Sequence, residues 1–340
     1  MRILLVTDAW FPQVNGVVTT YSRLRQELLQ RGHEVELIAP HLFPTVPCPG
    51  YEEIRLAYWP GRRLVRMMDA ARADAIHLAT EGPLGFAARR YCVKRGLPFT
   101  SSYTTRFPEY FAARGPVPLS WGYGLMRYFH KPSRGIMVAT KSIRGDLEAR
   151  GFHNCVDWTR GVDTDLYRPR SDSVLDLPRP IHLYVGRITV EKNLEAFLDL
   201  DLPKGSKVLV GDGPQRKELT QKYPDAVFVG AKAGEELARH YASADVFVFP
   251  SRTDTFGLVM LEALACGLPV AAFPVPGPID ILDGHGVGVL DEDLGYAIEQ
   301  ALKIPASRCR AFSQRYSWGT CTEMFLRNLH PIPAESRRAA

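Results

Sequence analysis

Short apolar runs alternate with helical segments along this chain, and the alternation runs twice. Arg2–Thr7 (RILLVT) reads as a buried parallel strand. A Gly- and Asn-containing loop follows at Pro12–Gly16, then a helical stretch from about Val18 to Arg31 that stops at Gly32. His33–Ala39 is the next strand; Ala75–Leu78, Pro98–Ser102 and Gly135–Ala139 continue the series, and Ser142–Arg150 reads as a helix closed by Gly151. The pattern restarts with strands at Ile181–Val185, Lys207–Val210, Val227–Val229, Asp245–Phe249 and Pro269–Phe273. Helices are expected at Glu191–Leu200, Glu218–Lys222, Gly234–Ser243 and Gly257–Ala265. Strand–helix alternation requires right-handed crossovers and a doubly wound parallel sheet. Two runs predict an α/β protein of two Rossmann-like doubly wound domains facing across a cleft.

The length of 340 residues suits two domains. The stretch Arg168–Pro180, rich in Pro, Ser and Asp, marks the expected boundary. The division is then 1–172, 173–330 with its last helix returning to the first domain, and a tail at 331–340. An apolar share of 46% allows a large core without a disulfide or metal staple. The six cysteines form no C-x-x-C pair, which fits a reducing cytosol. No signal-peptide pattern opens the chain and no apolar run reaches membrane-spanning length. A cytoplasmic location is expected.

Charge is uneven: residues 1–172 carry 24 Lys+Arg against 16 Asp+Glu, and residues 173–340 carry 18 against 21. The basic half, with Trp59, Tyr110, Phe111, Trp121, Tyr123, Tyr128 and Phe129, is expected to allow peripheral contact with an anionic membrane, on its inner face. Each aromatic has a core position as its competing reading. No helix-turn-helix, zinc finger or RNP-type motif accompanies the charge, so no nucleic-acid partner is expected.

Ligands of open α/β sheets bind beyond the carboxyl ends of the strands, so the residues after each apolar run carry the chemistry. Gly186-Arg187-Ile188-Thr189-Val190-Glu191-Lys192-Asn193 follows a strand and opens a helix. Gly186 permits close backbone approach, and Arg187 and Lys192 can reach one point above the sheet, an arrangement suited to a diphosphate. Surface cations at a helix start are the alternative. Asp254-Thr255-Phe256-Gly257-Leu258, continuing to Glu262, follows a second buried strand. Backbone N–H groups at Phe256, Gly257 and Leu258 would face a ligand there. Glu262 lies among apolar neighbours and needs hydroxyl partners or a core arginine. Gly211 and Gly213 form a glycine turn able to line a flat base. In the first half, Asn15-Gly16 is either a backbone-donor loop or a plain turn.

The segments GRITVEKN, VGDGP, SRTDTFGLVMLEALACGLPVAA, RGVDTDLYRP and VTDAWFPQVNGVVTTYSRLRQELLQRGHEVELIAP together resemble the retaining nucleotide-sugar transferases of glycosyltransferase family 4, over roughly residues 1–330. The likeness extends to bacterial GDP-mannose-dependent α-mannosyltransferases and glycolipid-forming transferases. It implies the GT-B fold, a nucleotide-diphosphate-sugar donor and a lipid or glycan acceptor. It also implies a front-face mechanism with neither metal nor cofactor. By this resemblance Arg187 and Lys192 hold the donor diphosphate, Glu262 the ribose, and Asp254 the transferred sugar, with the Phe256–Leu258 backbone beside it. Gly16 faces the donor phosphates. Thr104 stands where relatives carry a histidine against the donor sugar, and Arg106 where some carry an aspartate, adding positive charge near the acceptor. The implied donor is GDP-mannose, with a UDP-hexose such as UDP-glucose as the alternative. The Thr104 departure also leaves open a nucleotide-sugar binder without turnover. A UDP-sugar epimerase would need an acid/base set that the sequence does not display. Asp163-Thr164-Asp165 imitates a metal-binding D-x-D but follows no apolar strand, and is read as turn chemistry.

Overall fold

The computed structural model describes residues 1–333 except Val14, 49–50, 113–117, Pro203 and 254–255; of 51–53 and 110–112 it describes the backbone alone. The chain divides into two compact units. The first comprises Met1–Thr159 with Trp318–Ala340, the second Arg160–Ser317.

In the first unit the strands are β1 (Arg2–Val6), β2 (Glu34–Ile38), β3 (Thr45–Cys48), β4 (Tyr51–Ala57), β5 (Ala75–Leu78), β6 (Thr100–Tyr103), β7 (Ile136–Val138) and β8 (Cys155–Asp157). Six of them form a parallel sheet in the order β2-β1-β5-β6-β7-β8, and β3 and β4 pair separately as an antiparallel hairpin. Ile3, Leu4, Leu5 and Val6 are all buried, as a strand covered on both faces must be. One face carries Tyr21 and Leu24 of the helix Gly16–Gln30, together with Trp158 and Phe325. The terminal helix Trp318–Asn328 buries Trp318, Cys321 and Phe325 there, and the Trp158 indole donates to the Cys321 carbonyl at 3.0 Å. The other face is built on Leu64, Leu84, Phe99 and Phe129.

The second unit holds β9 (Ile181–Val185), β10 (Ser206–Val210), β11 (Val227–Gly230), β12 (Val246–Phe249), β13 (Val270–Ala272) and β14 (Gly288–Leu290). All run parallel in the order β11-β10-β9-β12-β13-β14. The strand order therefore reverses between β9 and β12, the position at which open sheets bind ligands.

Two expectations are corrected. The unit boundary falls at Thr159/Arg160 rather than at 172, because the connector is bound into the second unit. Arg310 donates to the carbonyls of Thr164, Tyr167 and Ala265, and the Val174 amide donates to Ser243 Oγ at 2.9 Å. A Pro- and Asp-rich composition registers irregular backbone, not its anchorage. The single helix expected over Glu191–Leu200 is broken into a 3₁₀ turn, Val190–Lys192, and a short helix, Glu195–Leu198, because Asn193 between them adopts φ 53°. Residues 334–340 of the expected tail lie outside the described residues. Among the described residues none of the six cysteines forms a disulfide.

Candidate functional site

Three of the motif loops in the second unit meet at the carboxyl edge of its sheet. Those after β9 and β10 are pressed together backbone to backbone. The Ile188 amide donates to the Asp212 carbonyl at 2.9 Å, and the Gln215 amide returns to the Ile188 carbonyl at 3.2 Å. A Cβ on Gly211 would stand 1.8 Å from the Gly186 carbonyl oxygen, and one on Gly213 would stand 2.3 Å from that of Ile188. Glycine is thus required at both positions by loop contact itself. Gly186 is crowded by the Tyr184 hydroxyl, which a Cβ would approach to 2.5 Å and which donates to the Arg187 carbonyl.

The loop after β9 is also tied to the loop after β12. Asn193 Nδ2 donates to the Pro250 carbonyl at 3.1 Å and Thr253 Oγ1 to the Glu191 carbonyl at 3.4 Å. These ties place Arg187 and Lys192, both half-buried, on the β9 side of the point where the strand order reverses. On the β12 side, Phe256 is buried, and Gly257 at φ 82° turns the chain into the helix Leu258–Ala265. Among the described residues that helix start has no side-chain cap, and its first amides can face an anion or a hydroxyl. Asp254, the expected sugar contact, lies outside the described residues.

Glu262 sits half-buried within this helix, and its partners are two tyrosines. The Tyr241 hydroxyl donates to Glu262 Oε2 at 2.9 Å, and the Tyr167 hydroxyl also bonds the carboxylate. Burial pushes the Glu262 carboxyl up to about 7, against both hydrogen bonds, which favour the charged form. A carboxylate offers about four lone-pair sites, so the two tyrosines leave acceptor capacity for a ligand hydroxyl. The core-arginine alternative for Glu262 is not what the structure contains. Sequence reasoning passed over both tyrosines: Tyr167 lies inside the RGVDTDLYRP motif, whereas nothing in the chain marks Tyr241 as a partner for a residue 21 positions away.

The remaining candidates belong to the first unit. Asn15 is the N-cap of the helix Gly16–Gln30, its Oδ1 accepting from the amides of Val17 and Val18 at 3.1 and 3.0 Å. Gly16 is the first residue of that helix, and Thr104 follows β6 directly. Arg106 is set between two carboxylates, 3.6 Å from Glu109 and 3.9 Å from Asp146. Its charge is therefore balanced locally, and the expected surplus of positive charge at this edge is corrected. An unanticipated residue is Asp8, after β1. Its buried carboxylate accepts from the amides of Leu84 and Gly85 at the start of the helix Pro83–Arg95 and from Thr80 Oγ1. Burial holds the Asp8 carboxyl up at about 6 despite those bonds.

Asp163 Oδ1 accepts from the amides of Asp165 and Leu166, the turn chemistry expected of the D-x-D imitation. The basic-half aromatics separate into two groups. Tyr123 and Phe129 are buried, while Trp59, Trp121 and Tyr128 are exposed, Trp59 to 80%. The side chains of Tyr110 and Phe111 lie outside the described residues. Among the described residues no helix is long and apolar enough to cross a membrane.

Residues 14–166 match the family model "Glycosyltransferase Family 4", and residues 179–303 match "Glycosyl transferases group 1". A GDP-mannose-dependent alpha-mannosyltransferase of Mycobacterium tuberculosis is 31% identical, over 85% of this chain and 83% of its own length. An alpha-monoglucosyldiacylglycerol synthase of Streptococcus pneumoniae is 28% identical, over 89% and 78% respectively. Among solved structures, the sucrose-phosphate synthase of Thermosynechococcus elongatus superimposes with a TM-score of 0.75, at 21% identity, over 96% of this chain and 98% of its own. Two doubly wound sheets, a ligand edge where the second reverses, and relatives at this level of identity agree: this chain belongs to glycosyltransferase family 4 and is a glycosyltransferase of the GT-B fold.

Proposed function

We propose that the chain transfers mannose from GDP-mannose to a lipid or glycan hydroxyl with retention of anomeric configuration. The observation that carries this reading is the joining of the loops after β9, β10 and β12 at one sheet edge, with Arg187 and Lys192 on the first of them. In this reading the two cations neutralise the donor diphosphate as the glycosidic bond to phosphate breaks. Glu262, oriented by Tyr167 and Tyr241, accepts from the ribose hydroxyls. Asp254 contacts the transferred sugar, beside the amides of the Phe256–Leu258 segment, and Gly211 and Gly213 support the base. Gly16 serves the donor phosphates, Asn15 and Thr104 lie on the donor-sugar or acceptor side, and Arg106 is on the acceptor side. The departing phosphate oxygen takes the acceptor proton on the face from which it left, which retains configuration.

The mannosyltransferase relative supports the choice of GDP-mannose. The glucosyldiacylglycerol synthase relative supports the second reading, a UDP-hexose such as UDP-glucose used on a glycolipid acceptor. A thermal-shift panel of GDP-, UDP- and ADP-sugars separates them, followed by transfer with the best binder into a total lipid extract. GDP-mannose is expected to stabilise most, and transfer is expected to survive chelation of divalent cations. If no nucleotide sugar raises the melting temperature, the proposal fails. Donor binding without transfer in any extract, with transfer appearing only in Thr104→His, would make the chain a binder instead. A cytoplasmic protein with peripheral contact at the inner face of the membrane fits the exposed Trp59, Trp121 and Tyr128, together with the exposed Arg62, Arg63 and Arg66. Flotation with vesicles tests this: retention independent of anionic lipid content removes the charge-based docking.

A further inference from the structure

The helix Ala306–Ser313 and the residue just beyond its C-cap bring three arginines to the second unit, and they are used in two different ways. Arg310 points inward and is satisfied by three carbonyls, those of Thr164, Tyr167 and Ala265. Arg308 and Arg315 point outward and form no ion pair among the described residues. They line a depression of about 330 Å³ together with His285, Gly284 and Phe312.

The depression is organised around one ring. The Phe312 side chain is buried to 5% exposure, and the His285 imidazole lies 4.8 Å from it, centroid to centroid. The Arg315 guanidinium lies 5.6 Å from the same ring. Arg308 is located by a glycine: a Cβ on Gly286, which holds φ 63°, would meet the Arg308 guanidinium at 2.5 Å. Two guanidiniums and an imidazole thus converge from two segments of chain. Among the described residues no carboxylate lines the depression, although residues 173–340 carry more acidic than basic side chains (21 against 18). Local positive charge here is not inherited from its surroundings. Its place in the fold is the opposite end of the sheet from the donor loops, since His285 and Val287 precede β14, whereas Gly186 and Pro250 follow β9 and β12.

We propose that this depression is a second anion site, which takes the phosphoryl group of a small phosphate ester or diphosphate. Planar guanidinium forks match phosphoryl oxygens two at a time, and imidazole adds a further donor. The volume suits a phosphoryl group with a compact organic part and lies at the small end of ligand sites. The assignment does not rest on the transfer reaction.

The test is calorimetric titration of the full chain carrying Arg187→Ala, which weakens phosphate binding at the donor loops, with inorganic phosphate and pyrophosphate at about 0.15 M salt. One saturable site is expected to remain. Adding Arg308→Ala or Arg315→Ala should weaken it roughly tenfold or more, the loss of one charge-assisted hydrogen bond or more. Arg308→Gln, with a thermal melt in the absence of ligand, guards against misfolding. Phosphatidate vesicles are tested in parallel. Retention that depends on Arg308, without binding of free phosphate, supports the same site and assigns the phosphoryl group to a lipid headgroup. Absence of binding to either probe overturns the proposal, as does binding unchanged by Arg308→Ala and Arg315→Ala.

Discussion

The two units present the same kind of edge, built in two different ways. In the first, the loops beyond the strands are fixed by side chains that spend themselves on the protein: Asn15 on its own helix, Asp8 on the helix Pro83–Arg95, Arg106 on Glu109 and Asp146. In the second, the loops after β9 and β10 are fixed by backbone against backbone, which Gly186, Gly211 and Gly213 allow, and Asn193 and Thr253 add side-chain ties between the loops after β9 and β12. Positioning by backbone does not draw on side chains. Positioning by side chain consumes them. On the proposed function, the difference accounts for the concentration of donor contacts in one half of a chain whose halves share an architecture.

The comparison breaks most visibly if the cations of the two edges prove equivalent. Arg187→Ala is expected to lower turnover roughly 10²–10³-fold, about 3–4 kcal/mol, as the loss of a charge-stabilising donor does. Arg106→Ala, balanced in place by two carboxylates, should change it less than about tenfold. Steady-state rates with the preferred donor decide between them.

The next effect is on stability and pH. Folding holds the Asp8 carboxyl at about 6, above its ordinary value of 3.8, so the native state binds more protons than the unfolded chain between those values. Stability contributed by Asp8 is therefore full below about pH 4 and lost as pH rises to about 6, by at most about 3 kcal/mol. Glu262 has the same sign over the window from 4.5 to about 7. Urea unfolding across this range should show the fall in the wild-type chain and a shallower one in Asp8→Asn. Equal slopes would deny Asp8 its role.

Gly211→Ala should cost about 1–3 kcal/mol through overpacking against the Gly186 carbonyl, and should weaken donor binding with it. Gly61→Ala, where a Cβ meets nothing within 4 Å, is the neutral control. Matching unfolding midpoints for these two variants would mean that the loops are not held by backbone contact. The smallest effect expected is that of Asn15→Ala, about 1 kcal/mol from loss of the N-cap. Donor affinity, measured by titration, should stay as it was if the side chain serves only its helix. A lowered affinity would give the Asn15 side chain a direct part in donor binding.

Both sheets were legible because fully buried strands leave short apolar runs, and the loops that meet after β9, β10 and β12 because glycines and cations stand directly after those runs. The hairpin of β3 and β4 left no such trace. Thr45–Cys48 is short and half exposed, so no periodic run announces it. The boundary at 172 was misread for a related reason: composition reports a lack of regular structure, while the bonds from Arg310 that bind the connector cross about 145 residues.

By itself, then, the sequence determined the class of fold and which strand ends hold glycines and cations, because these depend on local periodicity and on residue type. Tertiary structure alone decided which side chains remain for a ligand. Tyr167 and Tyr241 reach Glu262, Glu109 and Asp146 take up Arg106, and Phe312 gathers His285 and Arg315 around a pocket. Apart from the local pairs Arg106–Glu109 and Phe312–Arg315, each three residues apart, these rest on contacts between segments far apart in the chain, and such contacts exist only once the sheets have assembled.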